Sequence, residues 1–179
     1  MIFMESERLL SAIKFATEKH GKQKYGIHPF IFHPVEVAIK LTALIDKQVI
    51  SLDEIPFHNI DTLLVSAILH DVLEDTDTIG KEISDNFGYS VLKNVIQVTH
   101  KKDYDPEEYY RRMEVAALMI KTADRLVNIG NMDKTHMSNP HFRDKVFPMY
   151  KREMKYFGKY SGIIAQAILT KEEELNAIK

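Results

Sequence analysis

Apolar residues recur at helical spacing along nearly the whole chain. Over residues 5–20, Leu9, Leu10, Ile13, Phe15 and Ala16 fall on or near one face, which predicts an amphipathic helix. Residues 22–32 hold Gly26, Pro29 and aromatic rings and read as a loop. His33-Pro34 then opens a second helix to about residue 45, with the proline suited to the first turn. Residues 47–59 are polar, contain Pro56, and form a connection. Asp61 is placed to cap a third helix that runs through Asp75. Thr78 starts a short helix that Gly88 stops after Phe87, and another apolar helix follows over residues 90–99. Asp105-Pro106-Glu107-Glu108 has the form of a helix start, with proline at the first position and acids in the first turn. The helical run from there to about residue 131 is long, and a break is expected near Met113. Residues 145–160 and 161–178 complete the chain as helices. No convincing β-alternation, repeat or low-complexity tract interrupts this pattern, so the expectation is all-α, one domain over residues 1–179.

Composition narrows the chemistry. A chain of 179 residues suits one domain with a sizeable core. A net charge of −2 gives no bulk electrostatic reason to expect a nucleic-acid partner. With no cysteine, neither disulfides nor thiolate metal ligands are possible. A metal would be held by histidines and carboxylates, a mixed set that suits Mn²⁺, Fe²⁺, Mg²⁺ or Zn²⁺. The first residues lack the pattern of a signal peptide, and no apolar run of about 18 residues suggests a membrane span. A cytoplasmic protein is expected, and no heptad pattern or apolar patch sets an oligomeric state.

Ionisable groups concentrate in Ile68-Leu-His70-Asp71-Val-Leu-Glu74-Asp75-Thr76. Val65, Ile68, Leu69, Val72 and Leu73 surround the four polar side chains, and burying such groups is unfavourable unless they pair or bind a metal. His33 at the start of the second helix and Asp124 in the apolar stretch Ile120–Asn128 add two candidate ligands. Adjacent helical residues point about 100° apart, so His70 and Asp71 reach one ion only if it lies on the ridge between them. Glu74 and Asp75 lie one turn on, free for proton transfer or orientation of a leaving group.

These residues also carry a family resemblance. His70-Asp71, with His33 upstream and Asp124 downstream, resembles the HD-domain metal-dependent phosphohydrolases, and in detail the RelA/SpoT-type (p)ppGpp hydrolases, especially the small stand-alone alarmone hydrolases. Phe15-Ala16-Thr17-Glu18-Lys19-His20 resembles that branch's Phe-Ala-x-x-x-His, and Pro29-Phe30-Ile31-Phe32-His33-Pro34 its Pro-Tyr-Ile-x-His-Pro. Residues 70–76 match His-Asp-x-x-Glu-Asp-Thr, and residues 121–128 match Lys-x-Ala-Asp-Arg-Leu-x-Asn. The resemblance runs over roughly residues 9–160 and implies an all-α HD-domain helical bundle holding one divalent ion, usually Mn²⁺. It implies that His33, His70, Asp71 and Asp124 are the ligands and that Glu74 and Asp75 activate water for attack on phosphorus. The implied reaction removes the 3′-pyrophosphate of guanosine tetra- or pentaphosphate, and the chain leaves no room for a synthetase domain, so degradation alone is expected. Asn128, one turn beyond Asp124, is placed to contact substrate, and Arg125 to pair with a carboxylate. Arg152 and Tyr156 resemble an Arg-x-x-x-Tyr pair that contacts the nucleotide.

The chain departs from the family pattern at Gln23-Lys24-Tyr25-Gly26, where Gln-x-Arg-Lys-x-Gly is usual. Lys24 stands in for the arginine, without its forked contacts, and Tyr25 stands where lysine is expected. Tyrosine can stack on a purine but does not neutralise phosphate, so the change bears on substrate recognition through Lys24 and Tyr25. Val127 also replaces a frequent histidine. His20, His28, His100, His136 and His141 fit no ligand pattern and are expected at the surface or at helix ends. Two other functions compete with the alarmone reading: an HD-type phosphohydrolase acting on another nucleotide or a phosphorylated cofactor, and a non-catalytic metal- or nucleotide-binding module.

Overall fold

The computed structural model describes residues 6–54, 59–100 and 104–177. Helix α1 (Ser6–His20) leads into a two-stranded antiparallel hairpin, β1 (Lys24–Tyr25) and β2 (His28–Pro29), closed by Gly26 at φ +61°. That hairpin lies in the stretch expected to be loop, and it is the only β structure among the described residues. Each strand has two residues, too few for alternation to register in the sequence. Helix α2 (Phe32–Asp46) follows, then a 3₁₀ turn (Leu52–Glu54). Helix α3 (Ile60–Ile68) is capped by Asn59, whose side chain accepts from the Thr62 amide at 2.8 Å, rather than by Asp61. Asp61 instead takes Arg8 of α1 in an ion pair.

The third helix does not run through Asp75. It ends at Ile68, and a separate short helix α4 (Val72–Asp75) begins after a turn that contains His70 and Asp71. Helices α5 (Gly80–Phe87) and α6 (Tyr89–Val98) are separated by Gly88 at φ +88°, the stop expected there. Helix α7 (Pro106–Arg111) starts as read, with Asp105 accepting from the Glu108 amide at 2.7 Å. The expected break follows before α8 (Val115–Gly130). A short helix α9 (Lys134–Ser138) lies in a stretch not assigned from sequence, capped by Asp133. The expected helix over residues 145–160 is divided into a π turn (Phe142–Val146), α10 (Phe147–Glu153) and a 3₁₀ segment (Met154–Tyr160) kinked at Gly158, before α11 (Ser161–Ala177).

Every residue from Leu63 to Ile68 is buried, so α3 is enclosed on all sides. It packs against α1, α2 and α6, while α8 packs against α2, α6 and α11. Val37 and Leu41 of α2, Val91 and Val95 of α6, and Met119, Ile120 and Ala123 of α8 complete one apolar cluster. The contact of α2 with α3 and α8 is what brings the carriers of His33, His70 and Asp124 together. No helix among the described residues is long and apolar enough to cross a membrane.

Candidate active site

Four side chains converge where α2, α8 and the α3–α4 turn meet. His33 Nε2 lies 3.3 Å from Asp124 Oδ1 and 3.5 Å from Asp71 Oδ2. His70 Nε2 lies 3.0 Å from Asp71 Oδ1 and 3.9 Å from Asp124 Oδ1. His33, His70 and Asp124 are buried, and Asp71 retains 17% side-chain exposure, an opening toward solvent. The turn makes this possible: leaving the helix after Ile68 frees His70 and Asp71 from the 100° splay of adjacent helical residues.

The ring of His70 is oriented by Nδ1, which bonds to the Ala67 carbonyl at 2.8 Å. A carbonyl partner makes Nδ1 the donor, so Nε2 carries the free lone pair of the neutral ring. That Nε2 is buried without a hydrogen-bond partner and is aimed at the two carboxylates. An orphaned imidazole nitrogen facing two carboxylates fits a cation, and His33, His70 and Asp71 could hold a metal ion. Asp124 adds an oxygen beside both histidines.

Electrostatics supports the same assignment. Burial disfavours the charged form of His70, but Asp71 and then Asp124 override it and push the imidazole up to about 9. Burial also opposes ionisation of Asp71, yet His70 beside it holds the carboxyl below its usual range. Asp124 is held well below that range against burial, chiefly by Lys121, whose Nζ lies 2.8 Å from Oδ2.

A cleft of about 270 Å³ opens onto the cluster, walled by Tyr25, Glu74, His100, Lys121, Asn128 and Tyr150 among others. Glu74 accepts from the His100 amide at 2.8 Å and faces its Nδ1 at 3.2 Å. Burial raises its carboxyl, but these bonds from His100 outweigh that and lower it, so Glu74 is ionised at neutral pH. Asp75 stands on the exposed side of the same turn, and there partial burial with Asp71 and Glu74 nearby pushes its carboxyl up to about 6. A second cleft, of about 560 Å³, shares Met149 with the first and is lined by Tyr104, Arg152, Lys155 and Tyr156.

The structure thus brings His33, Asp71, Asp124, Glu74, Tyr25 and Asn128 to one cleft, with His70 buried beside Asp71. It places Arg152 and Tyr156 in the adjoining one. Lys24 is exposed on β1 beside Tyr25. Arg125 is buried and pairs with Glu153 at 2.7 Å, the structural partnership expected of it. Two histidines do more than the expectation states. His20 ends α1 as expected, yet it is 3% exposed, with its ring stacked on Phe30 at 4.3 Å. His100 is a wall of the cleft and a partner of Glu74, a role that no spacing in the sequence signals, since 26 residues separate them.

Comparison with known proteins adds a second line of support. The guanosine-3′,5′-bis(diphosphate) 3′-pyrophosphohydrolase of Aquifex aeolicus is 38% identical over 139 residues, 71% of this chain but 18% of that protein. The guanosine-3′,5′-bis(diphosphate) 3′-pyrophosphohydrolase MESH1 of Homo sapiens is 33% identical over 141 residues, 73% of this chain and 72% of the relative. A solved structure described as a metazoan ortholog of SpoT that hydrolyzes ppGpp shares the fold, with a TM-score of 0.70 at 22% identity over 97% of this chain and 98% of that one. No family model matches the chain.

Proposed function

Because the chain belongs to the family of guanosine-3′,5′-bis(diphosphate) 3′-pyrophosphohydrolases, we propose that it is a metal-dependent hydrolase that removes the 3′-pyrophosphate of ppGpp and pppGpp. The observation that carries this reading is the convergence of His33, His70, Asp71 and Asp124 around the unpartnered His70 Nε2, with an ionised Glu74 in the same cleft. Those four side chains would hold one divalent ion, and a set of two imidazoles and two carboxylates suits Mn²⁺. When bound, such an ion supplies Lewis acidity at a phosphoryl oxygen and makes water more acidic.

The chain's own groups account for the rest. In the reaction a water oxygen bonds to the phosphorus beside the 3′ oxygen, the bond from that phosphorus to the 3′ oxygen breaks, and GDP (or GTP) and pyrophosphate leave. Glu74, fixed by His100 and ionised, accepts the proton of the attacking water. Asp75, close to neutral pH in its ionisation, completes the acidic pair. Lys121 and Arg125 line the same wall but are each paired with a carboxylate, Asp124 and Glu153, and Asn128 offers an amide. The nucleotide extends past Met149 toward Arg152 and Tyr156, while Lys24 and Tyr25 border the entrance on the other side. We place this reaction in the cytoplasm and read residues 1–179 as one hydrolase domain.

Incubation of the purified protein with ppGpp and Mn²⁺ should yield GDP and pyrophosphate, and Glu74→Gln should slow turnover by about 10²-fold or more. Intact ppGpp after incubation with excess enzyme sinks the reading. The neutral Tyr25 ring where the family carries lysine favours a second reading, in which the same site acts on another nucleotide or a phosphorylated cofactor. A nucleotide panel scored for phosphate and pyrophosphate release separates the two.

A further inference from the structure

We propose that Tyr25 is a positioning residue of the metal centre, one that clamps together the two helices carrying His33 and Asp124. The proposal rests on the metal reading above. Its starting point is an asymmetry between the two histidines. His70 is oriented by a hydrogen bond from Nδ1, as ligand imidazoles usually are. His33 Nδ1 is buried and has no hydrogen-bond partner, so nothing of that kind fixes its ring. What lies against it instead is Tyr25, with ring centroids 4.7 Å apart and planes 30° from parallel.

The hydroxyl of Tyr25 is fully engaged on the other helix. It donates to Asn128 Oδ1 at 3.2 Å and accepts from Asn131 Nδ2 at 3.3 Å. Asn128 Nδ2 in turn donates to Asp124 Oδ1 at 2.6 Å. The acceptor-only carboxylate of Asp124 takes the Nδ2 side of the Asn128 amide, and the phenol holds that amide in place by donating to its other end, Oδ1. Asn131 Nδ2 also donates to Glu36 Oε2 at 2.6 Å, one turn beyond His33 on α2. The chain of donors therefore runs from Asn131 through Tyr25 and Asn128 to Asp124, while the same asparagine ties back to α2.

Asp124 Oδ1 is the oxygen that faces both His33 Nε2 and His70 Nε2, and Oδ2 is taken by Lys121. Tyr25 thus acts on both ligands it can reach: through its ring on His33 and through Asn128 on Asp124. A phenol that already spends its donor and an acceptor site within the protein is poorly placed to serve as a phosphate contact. Gly26 at φ +61° makes the tight turn that points the hairpin residue before it over the cleft.

The test is a Mn²⁺ titration of the apoprotein, with free ion followed by electron paramagnetic resonance and no nucleotide present. Tyr25→Phe keeps the ring and removes the hydroxyl with both its hydrogen bonds, and should raise the Mn²⁺ Kd about fivefold, the factor for the one of the two that reaches Asp124 through Asn128. Tyr25→Leu removes the ring as well and should raise it about tenfold or more. Asn131→Ala, on an exposed side chain at the other end of the chain of donors, should move Kd in the same direction and guards against a Tyr25 variant that fails to fold. At saturating Mn²⁺, KM for ppGpp should stay within twofold of the wild type for Tyr25→Phe. Wild-type Kd values in Tyr25→Phe and Asn131→Ala overturn the proposal, as does a rise in KM with Kd unchanged, which makes Tyr25 a substrate contact. A wild-type chain that binds no Mn²⁺ overturns the metal reading and this proposal with it. One that binds Mn²⁺ and leaves ppGpp intact overturns only the substrate assignment.

Discussion

Glu153→Ala should destabilise the protein severely, because Glu153 is the acceptor of a buried polar network. Its carboxylate takes the Tyr104 hydroxyl at 2.5 Å, the Tyr110 hydroxyl at 3.0 Å and Arg125 Nη2 at 2.7 Å. The side chains of Arg125 and Glu153 are 4% and 2% exposed, so water cannot take over when the carboxylate is removed. Arg125 would keep its face on the Tyr150 ring, 3.8 Å from the centroid, and the Tyr110 hydroxyl at 3.2 Å, but no counter-ion. Breaking a buried pair from one side costs about 3–5 kcal/mol. At roughly 2–4 °C per kcal/mol for a chain of this size, Tm should fall by roughly 10 °C. Glu153→Gln, which keeps the shape and loses the charge, should cost about 2 kcal/mol. Replacing both partners with methionine should recover part of the loss, since no bare charge remains, although two tyrosine hydroxyls stay without their acceptor. The measurement is urea unfolding followed by far-ultraviolet circular dichroism at pH 7 with EDTA present, so that metal binding adds nothing. A loss below about 1 kcal/mol for Glu153→Ala, or a double variant less stable than the single one, would refute the reasoning, because both outcomes require a pair that is neither buried nor essential.

Asp75 gives a pH prediction with opposite signs for stability and activity. With its folded carboxyl at about 6 against an ordinary 3.8, the folded chain binds extra proton between those values, so stability falls as pH rises through that window and stays lower above it. Asp75→Asn should therefore stabilise the apoprotein at pH 7, by no more than about 1 kcal/mol because the group is exposed. The same variant should flatten the acid limb of the kcat/KM profile, which lies at pH 6 or below once a cation is near; an unchanged limb assigns it to another group. Metal removal is the third test. Mn²⁺ at 100 times its Kd should add about 2.7 kcal/mol, and the corresponding Tm shift of roughly 5–10 °C should vanish with EDTA and in His70→Ala. A wild-type Tm indifferent to Mn²⁺ contradicts a site that holds the ion only in the folded chain.

Local signals in the sequence translated well into local structure. Asp105-Pro106, the break near Met113 and the Gly88 stop all depend on residues within a few positions of one another, and all appear where expected. The convergence of His33, His70, Asp71 and Asp124 was legible because three motifs occur in a fixed order, not because any spacing reveals how helices cross. Features that depend on distant partners were not legible. The burial of His20 needs Phe30 stacked on it, and the place of His100 needs Glu74, far away in sequence. Tyr25 was readable as a departure from a pattern, but its partners Asn128 and Asn131 lie more than a hundred residues downstream.

The overlong third helix has a more instructive cause. Leu69 and Val72 are each 0% exposed, so the apolar periodicity continues unbroken across the point where the helix stops. Hydrophobic pattern reports which side chains face the core, and it is blind to whether backbone hydrogen bonds persist between them. What ends α3 is the two-residue interval between Leu69 and Val72, where His70 Nδ1 takes up the Ala67 carbonyl in place of a continuing helix. The same interaction that terminates the helix also fixes the ring and turns Nε2 toward Asp71 and Asp124. A continuous helix would bury Leu69 and Val72 equally well while sending His70 and Asp71 about 100° apart. The break keeps Leu69 and Val72 in the core and decides the cluster, and its trace in the sequence is the adjacent His-Asp pair itself.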